Sequence, residues 1–119
     1  MARLLVMEDE PNIAMIFEIA LGEEGHEVIT VANGKEGLER LKQAPAPAVV
    51  LVDLFMPVLN GKKVVEAMRS NSDLKDTPVI IVSGSISGFD NFPPIDSYQA
   101  HISKPFDLEE VIKTIAKFV

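Results

Sequence analysis

The 119-residue chain has no cysteine and only two histidines, His26 and His101. Without thiols there is no disulfide framework, no thiolate zinc site and no cysteine nucleophile, and two imidazoles are too few for a histidine-rich metal site. Positive charge is also scarce. Eleven Lys and Arg stand against eighteen Asp and Glu, a formal net charge of −7, which disfavours direct contact with nucleic acid, because phosphate backbones need a basic face. No apolar run approaches the roughly 18 residues of a membrane span, so membrane insertion is not expected. Met1-Ala2-Arg3 leads straight into Leu4-Leu5-Val6-Met7 with no secretory leader, so the expected location is cytoplasmic. What is present is ordinary for a globular protein: 47% apolar and 24% charged residues over a length that suits one domain and one core. The expectation is a single domain spanning 1–119 with no output domain in this chain and with one site. An acidic chain of this kind is able to hold a hard cation such as magnesium through carboxylates.

The organising stretch is Ala48 to Gly61, AVVLVDLFMPVLNG. Ala48 to Val52 are all apolar and mostly β-branched, without alternation, the pattern of a strand covered on both faces in a parallel sheet. Asp53 is the first polar group after it, at the edge where open α/β sheets bind ligands. Taken alone, the segment also fits an Asp that merely caps a turn.

Leu4 to Met7 is a similar run that ends in Glu8-Asp9-Glu10, with Pro11 suited to a first helical turn. Ile13, Ile16, Phe17, Ala20 and Leu21 have helical spacing, ending near Gly25. His26 to Ala32 reads as a second strand, and Asn33 with Glu36 as a capping pair for a helix through Gln43. Asn60 is a cap for a helix carrying Val64, Val65 and Met68. Pro78 to Ser83 and Gln99 to Ser103 complete five strands. Asp107 with Glu110 opens a last helix, whose stripe is Leu108, Val111, Ile112, Ile115, Ala116 and Val119. Between the last two strands, Gly84 to Ser97 carries Gly84, Gly88 and Pro93-Pro94, which oppose a helix. A loop or one helical turn is expected there, with Ile86, Phe89, Phe92 and Ile95 packing inward. Strands alternating with helices imply an α/β parallel sheet with right-handed crossovers.

The strand ends supply Glu8 and Asp9, Asp53, Ser83 and Lys104. Side by side, three carboxylates would share a crevice with a hydroxyl and an ammonium. Their mutual repulsion would be relieved by a divalent cation, and Mg²⁺ suits so few protein ligands. Lys104 and Ser83 would form a cradle for a phosphoryl group, and Asp53 could attack phosphorus.

This order, an acid pair after strand one, D-L-F-M-P-V-L-N-G after strand three, V-I-I-V-S-G at strand four and S-K-P-F after strand five, resembles the receiver domain of bacterial two-component response regulators across the whole chain. The resemblance implies a flavodoxin-like (βα)5 sheet of order 2-1-3-4-5, here with the fourth helix short or replaced by loop. It implies that Asp53 accepts phosphate from a histidine kinase or phosphotransfer protein and that Asp9, Asp53 and the Phe55 backbone carbonyl bind Mg²⁺, with Glu8 acting through a water. Ser83 would hydrogen-bond the phosphoryl oxygen, Lys104 would pair with it, and Lys104-Pro105 would be a cis peptide. A downstream protein target would read the altered surface, and a homodimer stays open. Glu8 stands where the family more often has Asp, and Gly84 where it usually has Ala. His101 lies three before Lys104, where a Tyr or Phe often swings inward as part of the switch with Ser83. A histidine there would be either a pH-sensitive switch residue or simply a half-buried strand residue. Two other functions compete: a receiver-like interaction module that is never phosphorylated, and a Mg²⁺-dependent aspartyl-phosphate phosphatase or phosphotransferase. The latter is disfavoured because Phe55, not an acid, lies two residues after Asp53.

Overall fold

The computed structural model of the chain describes residues 2–43, 45–84 and 92–119. Five strands, β1 (Arg3–Met7), β2 (Glu27–Val31), β3 (Val49–Val52), β4 (Val79–Ser83) and β5 (Ala100–Ser103), form one parallel sheet in the order β2-β1-β3-β4-β5. Every residue of β3 and β4 is buried, which is why both read as unbroken apolar runs. The edge strands β2 and β5 retain polar or half-exposed positions.

Among the described residues four α-helices cover the sheet: α1 (Pro11–Glu23), α2 (Gly34–Leu41), α3 (Gly61–Arg69) and α4 (Leu108–Ala116). Successive strand side chains point to opposite faces, and this alternation builds two separate cores. Leu4, Val6, Val49, Leu51, Ile80 and Val82 meet Phe17 and Leu21 of α1 and Val111 and Ile115 of α4. Leu5, Met7, Val50, Val52, Val79 and Ile81 meet Leu41 of α2 and Val64, Val65 and Met68 of α3. Of the stripe expected along the last helix, Val111 and Ile115 are buried and Ile112 is half-buried, whereas Leu108, Ala116 and Val119 are exposed.

The caps follow the sequence with two shifts. Asn33 and Asn60 accept hydrogen bonds from the Glu36 and Lys63 amides, satisfying donors the first helical turn leaves open. Glu36 returns its carboxylate to the Ala32 amide, one residue before the cap. Asp107 accepts from the Glu109 amide rather than pairing with Glu110.

In the connection from β4 to β5, residues 85–91 lie outside the described residues, and with them the expected inward packing of Ile86 and Phe89. The remainder contains one 3₁₀ turn, Ile95–Ser97, as the glycine and proline content requires. Phe92 packs against the α2–α3 core. Ile95 does not pack inward: it is 82% exposed. The inward place in this turn is taken by Ser97, which is buried and whose hydroxyl and amide both donate to the Pro94 carbonyl. The segment is fastened by Arg69 at the end of α3. Its guanidinium donates to the carbonyls of Ser97 at 2.8 Å, Leu74 at 3.1 Å and Lys75 at 3.0 Å, and to the Gln99 side-chain oxygen at 3.2 Å. That oxygen also accepts from the Val79 amide, so one side chain ties α3 to the start of both β4 and β5.

Candidate functional site

The parallel ladder continues one residue past the strands and thereby sets the site. The Glu8 amide donates to Val31, the Asp53 amide to Met7 and the Lys104 amide to Ser83, at 3.0, 3.0 and 2.9 Å. Glu8, Asp53 and Lys104 are thus fixed by backbone hydrogen bonds at the carboxyl edge of the sheet. Glu8 and Asp53 are 3% and 6% exposed, and Ser83 is fully buried.

Lys104 joins the carboxylates. Its Nζ donates to Glu8 Oε1 at 2.7 Å and to Asp53 Oδ2 at 3.0 Å. The remaining oxygens are held by backbone, with the Glu10 amide donating to Glu8 Oε2 and the Phe55 amide to Asp53 Oδ1. Burial pushes the Glu8 carboxyl up to about 7, with the neighbouring Asp53 charge adding to the rise and the Lys104 contact opposing it. Burial alone would lower the Lys104 ammonium, but the hydrogen bonds and charges of Glu8 and Asp53 outweigh it and hold it above its ordinary value.

Asp9, more open than the other two acids, completes a group in which one ligand oxygen each from Glu8, Asp9 and Asp53 lie within 4.8 Å of one another. Three carboxylates facing one ammonium leave an excess of negative charge, and hard oxygen donors this close fit a divalent cation. A cleft of about 360 Å³ lies on the α1–β2 side of Glu8 and Asp9; Asp53 does not line it.

The loop after Asp53 folds back on its own strand. The Gly61 amide donates to Leu54 at 3.0 Å, and a Cβ on Gly61 would lie 2.5 Å from the Asp53 carbonyl oxygen and 2.8 Å from Leu54 Cα, so only glycine fits here. Between them, the Leu59 amide donates to the Pro57 carbonyl at 2.7 Å across Val58, whose φ is 69°. This is a three-residue turn of the rarer, strained hand, and for a β-branched residue a positive φ costs about 1–2 kcal/mol. Phe55 and Val58 are 46% and 74% exposed, and Pro57 is exposed beside them.

Of the residues singled out from sequence, Glu8, Asp9, Asp53 and Lys104 come together, with Ser83 joined through the Lys104 amide and the Phe55 amide bonded to Asp53. Lys104-Pro105 is cis. His101 stands apart, exposed on edge strand β5, where the Phe92 ring meets its ring edge-on at 4.9 Å. Partial burial lowers its pKa, which keeps the ring neutral further into acid. The direct Glu8–Lys104 pair, the strained Val58 and the Arg69 anchor were not legible from spacing. Asp53 and Gly61 eight residues apart were the one available hint of a closed loop.

A family model described as response regulator receiver domain matches residues 4–116. The response regulator ArlR of Staphylococcus saprophyticus is 34% identical over 117 residues, covering 97% of this chain and 51% of that protein. The chain therefore spans about half the length of the curated relatives it matches. Among solved structures, the chemotaxis protein CheY4 of Vibrio cholerae aligns with a TM-score of 0.89 at 29% identity, covering 100% of this chain and 99% of that one. The response regulator TrrA of Thermotoga maritima, in complex with Mg²⁺ and BeF, aligns at 0.87 and 27% identity, covering 100% of both chains.

Proposed function

The chain belongs to the response regulator receiver domain family, the phosphoacceptor switch of two-component systems, and we propose that Asp53 is its phosphoacceptor. The observation that carries this is the bridge made by Lys104 between buried Glu8 and Asp53, with Asp9 alongside. A histidine kinase or phosphotransfer protein supplies the phosphoryl group. An Asp53 oxygen forms the new P–O bond as the donor's P–N bond breaks, and the departing nitrogen keeps the electron pair, its ring leaving as neutral imidazole with the proton on the other nitrogen. The chain's contribution is positioning and charge. Lys104 moves its hydrogen bonds from Asp53 to the phosphoryl oxygens, the Ser83 hydroxyl donates to another, and Glu8 keeps Lys104 tethered at the edge.

Asp9, Asp53 and the Phe55 backbone carbonyl would hold Mg²⁺, with Glu8 acting through a water. The bound ion supplies positive charge that offsets the phosphoryl group and the carboxylates. The Mg²⁺–BeF complex of TrrA supports magnesium as the ion. The added phosphoryl charge then biases the loops around Ser83 and Lys104, and a downstream protein reads the result. The chain acts as a signalling switch that turns over only its own acyl phosphate. The absence, among the described residues, of any helix long and apolar enough to cross a membrane is compatible with a cytoplasmic setting.

The test is incubation with Mg²⁺ and acetyl phosphate followed by mass spectrometry. The expected result is an adduct of about 80 Da, one phosphoryl group, that is lost in Asp53→Asn and in EDTA. No adduct with any donor would overturn the proposal in favour of an interaction module that is not phosphorylated, and rapid turnover of phosphate esters would favour an enzyme.

A further inference from the structure

Four methionines lie among the described residues, and access divides them. Met7, Met56 and Met68 are buried in the core that α2 and α3 cover, whereas Met15 of α1 is 53% exposed. Spacings of three and four residues set Ile16 and Met15 beside Ile19, and all three side chains are exposed, so α1 carries an apolar patch on its outward face. Met15 also lines the cleft of about 360 Å³ that it shares with Glu8, Asp9, Glu18, Thr30 and Glu36. Its thioether is thus open to small solutes both from bulk water and from the cleft. Neither core nor the phosphoryl chemistry uses it.

We propose that Met15 is a modification site at which hydroperoxides form methionine sulfoxide while the fold stays intact. The thioether sulfur donates a lone pair to one oxygen of hydrogen peroxide. An S–O bond forms as the O–O bond breaks, and the departing oxygen takes the proton of the transferred one and leaves as water. Sulfur is oxidised by two electrons and the peroxide is reduced by two. The new oxygen accepts hydrogen bonds and donates none. Ionised carboxylates also only accept, and Thr30 brings the one side-chain donor among the residues lining the cleft. The sulfoxide therefore turns to water beside Ile16 and Ile19 and makes a polar break in the apolar patch. Sulfoxide reductases reverse the change. Asp53 does not line the cleft, so the mark is separate from the phosphorylated residue and gives the chain a second, oxidant-sensitive input.

Exposing the purified chain to hydrogen peroxide and reading each methionine by peptide mass mapping tests this, an added oxygen being about 16 Da. Met7, Met56 and Met68 meet peroxide only when the fold opens, so Met15 should gain oxygen at least about tenfold faster than any of them. In urea above the unfolding midpoint the four rates should converge. The chain oxidised at Met15 should keep the urea midpoint of untreated protein and elute earlier from a hydrophobic-interaction column. Methionine sulfoxide reductase should restore the original retention. Met15→Leu, which keeps an apolar side chain without sulfur, should show no shift in retention after the same treatment. Similar rates for Met15 and the three buried methionines in the native chain would overturn the inference. So would a fall in the urea midpoint when Met15 alone is oxidised, or a retention shift that persists in Met15→Leu.

Discussion

Replacing Lys104 with methionine puts the electrostatics of the site to a quantitative test. Methionine keeps an unbranched apolar stem and removes the ammonium that lies 2.7 Å from Glu8 and 3.0 Å from Asp53. At an effective dielectric of about 20, each contact at ~3 Å corresponds to about 5 kcal/mol of attraction before desolvation is subtracted. Deleting one partner of such a buried pair costs about 3–5 kcal/mol when the stranded charges stay ionised. Glu8 has an alternative, because burial already pushes its carboxyl from 4.5 to about 7. A carboxyl whose folded pKa is raised binds a proton on folding, so its contribution to stability is fully present below 4.5 and is lost as pH rises through 4.5 to about 7. In the wild type that decline ends near 7. In Lys104→Met the lowering effect of the ammonium is gone, and the decline should continue above 7 by about 1.4 kcal/mol per pH unit. For a domain of this length 1 kcal/mol shifts the Tm by about 4 °C. Thermal circular dichroism in EDTA should therefore show the Tm deficit of the variant widening between pH 7 and pH 8.5 by about 8 °C, the equivalent of about 2 kcal/mol accumulated over that interval. Adding Mg²⁺ should narrow that gap, since the ion takes up the uncompensated charge. A gap that is constant across pH would refute the reasoning and reduce Lys104 to the packing of its stem.

Phe55→Asn should shorten the life of the phosphorylated form about tenfold, equivalent to about 1.4 kcal/mol of barrier, because the apolar ring next to Asp53 is replaced by a side chain that admits and orients water; loss of the phosphoryl adduct followed over time reads this, and an unchanged or slower decay counts against it. Gly61→Ala places a methyl 2.5 Å from the Asp53 carbonyl oxygen and should cost about 1–3 kcal/mol of stability by overpacking. It should also weaken Mg²⁺ binding, measured by calorimetry, because the contact lies on the backbone of a proposed ligand. Retained Mg²⁺ affinity would separate the loop's packing from the geometry of the site.

The parts of this molecule that depend on period and order could be read in advance. Val49 to Val52 and Val79 to Val82 announced themselves because these stretches, buried on both faces, have no polar positions, and their order fixed which residues meet at the sheet edge. Asn33 and Asn60 were visible as caps because the amides they satisfy lie a fixed distance along the chain. What could not be read depends on contacts between residues far apart in sequence. Strand order brought Glu8 and Lys104, 96 residues apart, to one edge, but only the folded sheet shows that they pair directly. Ile95 looked like a core residue by composition, yet the 3₁₀ turn assigns the inward position to Ser97. Val58 carries no signal at all, since nothing in Pro57-Val58-Leu59 suggests that a β-branched residue adopts a positive φ.

The anchoring of Gln99 and Ser97 by Arg69 has a consequence for how the chain can vary. One guanidinium, the Gln99 side chain and the β4 ladder together set where β5 begins, so the alignment of Lys104 with Asp53 is anchored from α3 and β4. Shortening the Arg69 side chain would release the end of the 3₁₀ turn and the start of β5 together, and would reach the sheet edge that carries Lys104 without touching any residue of the site.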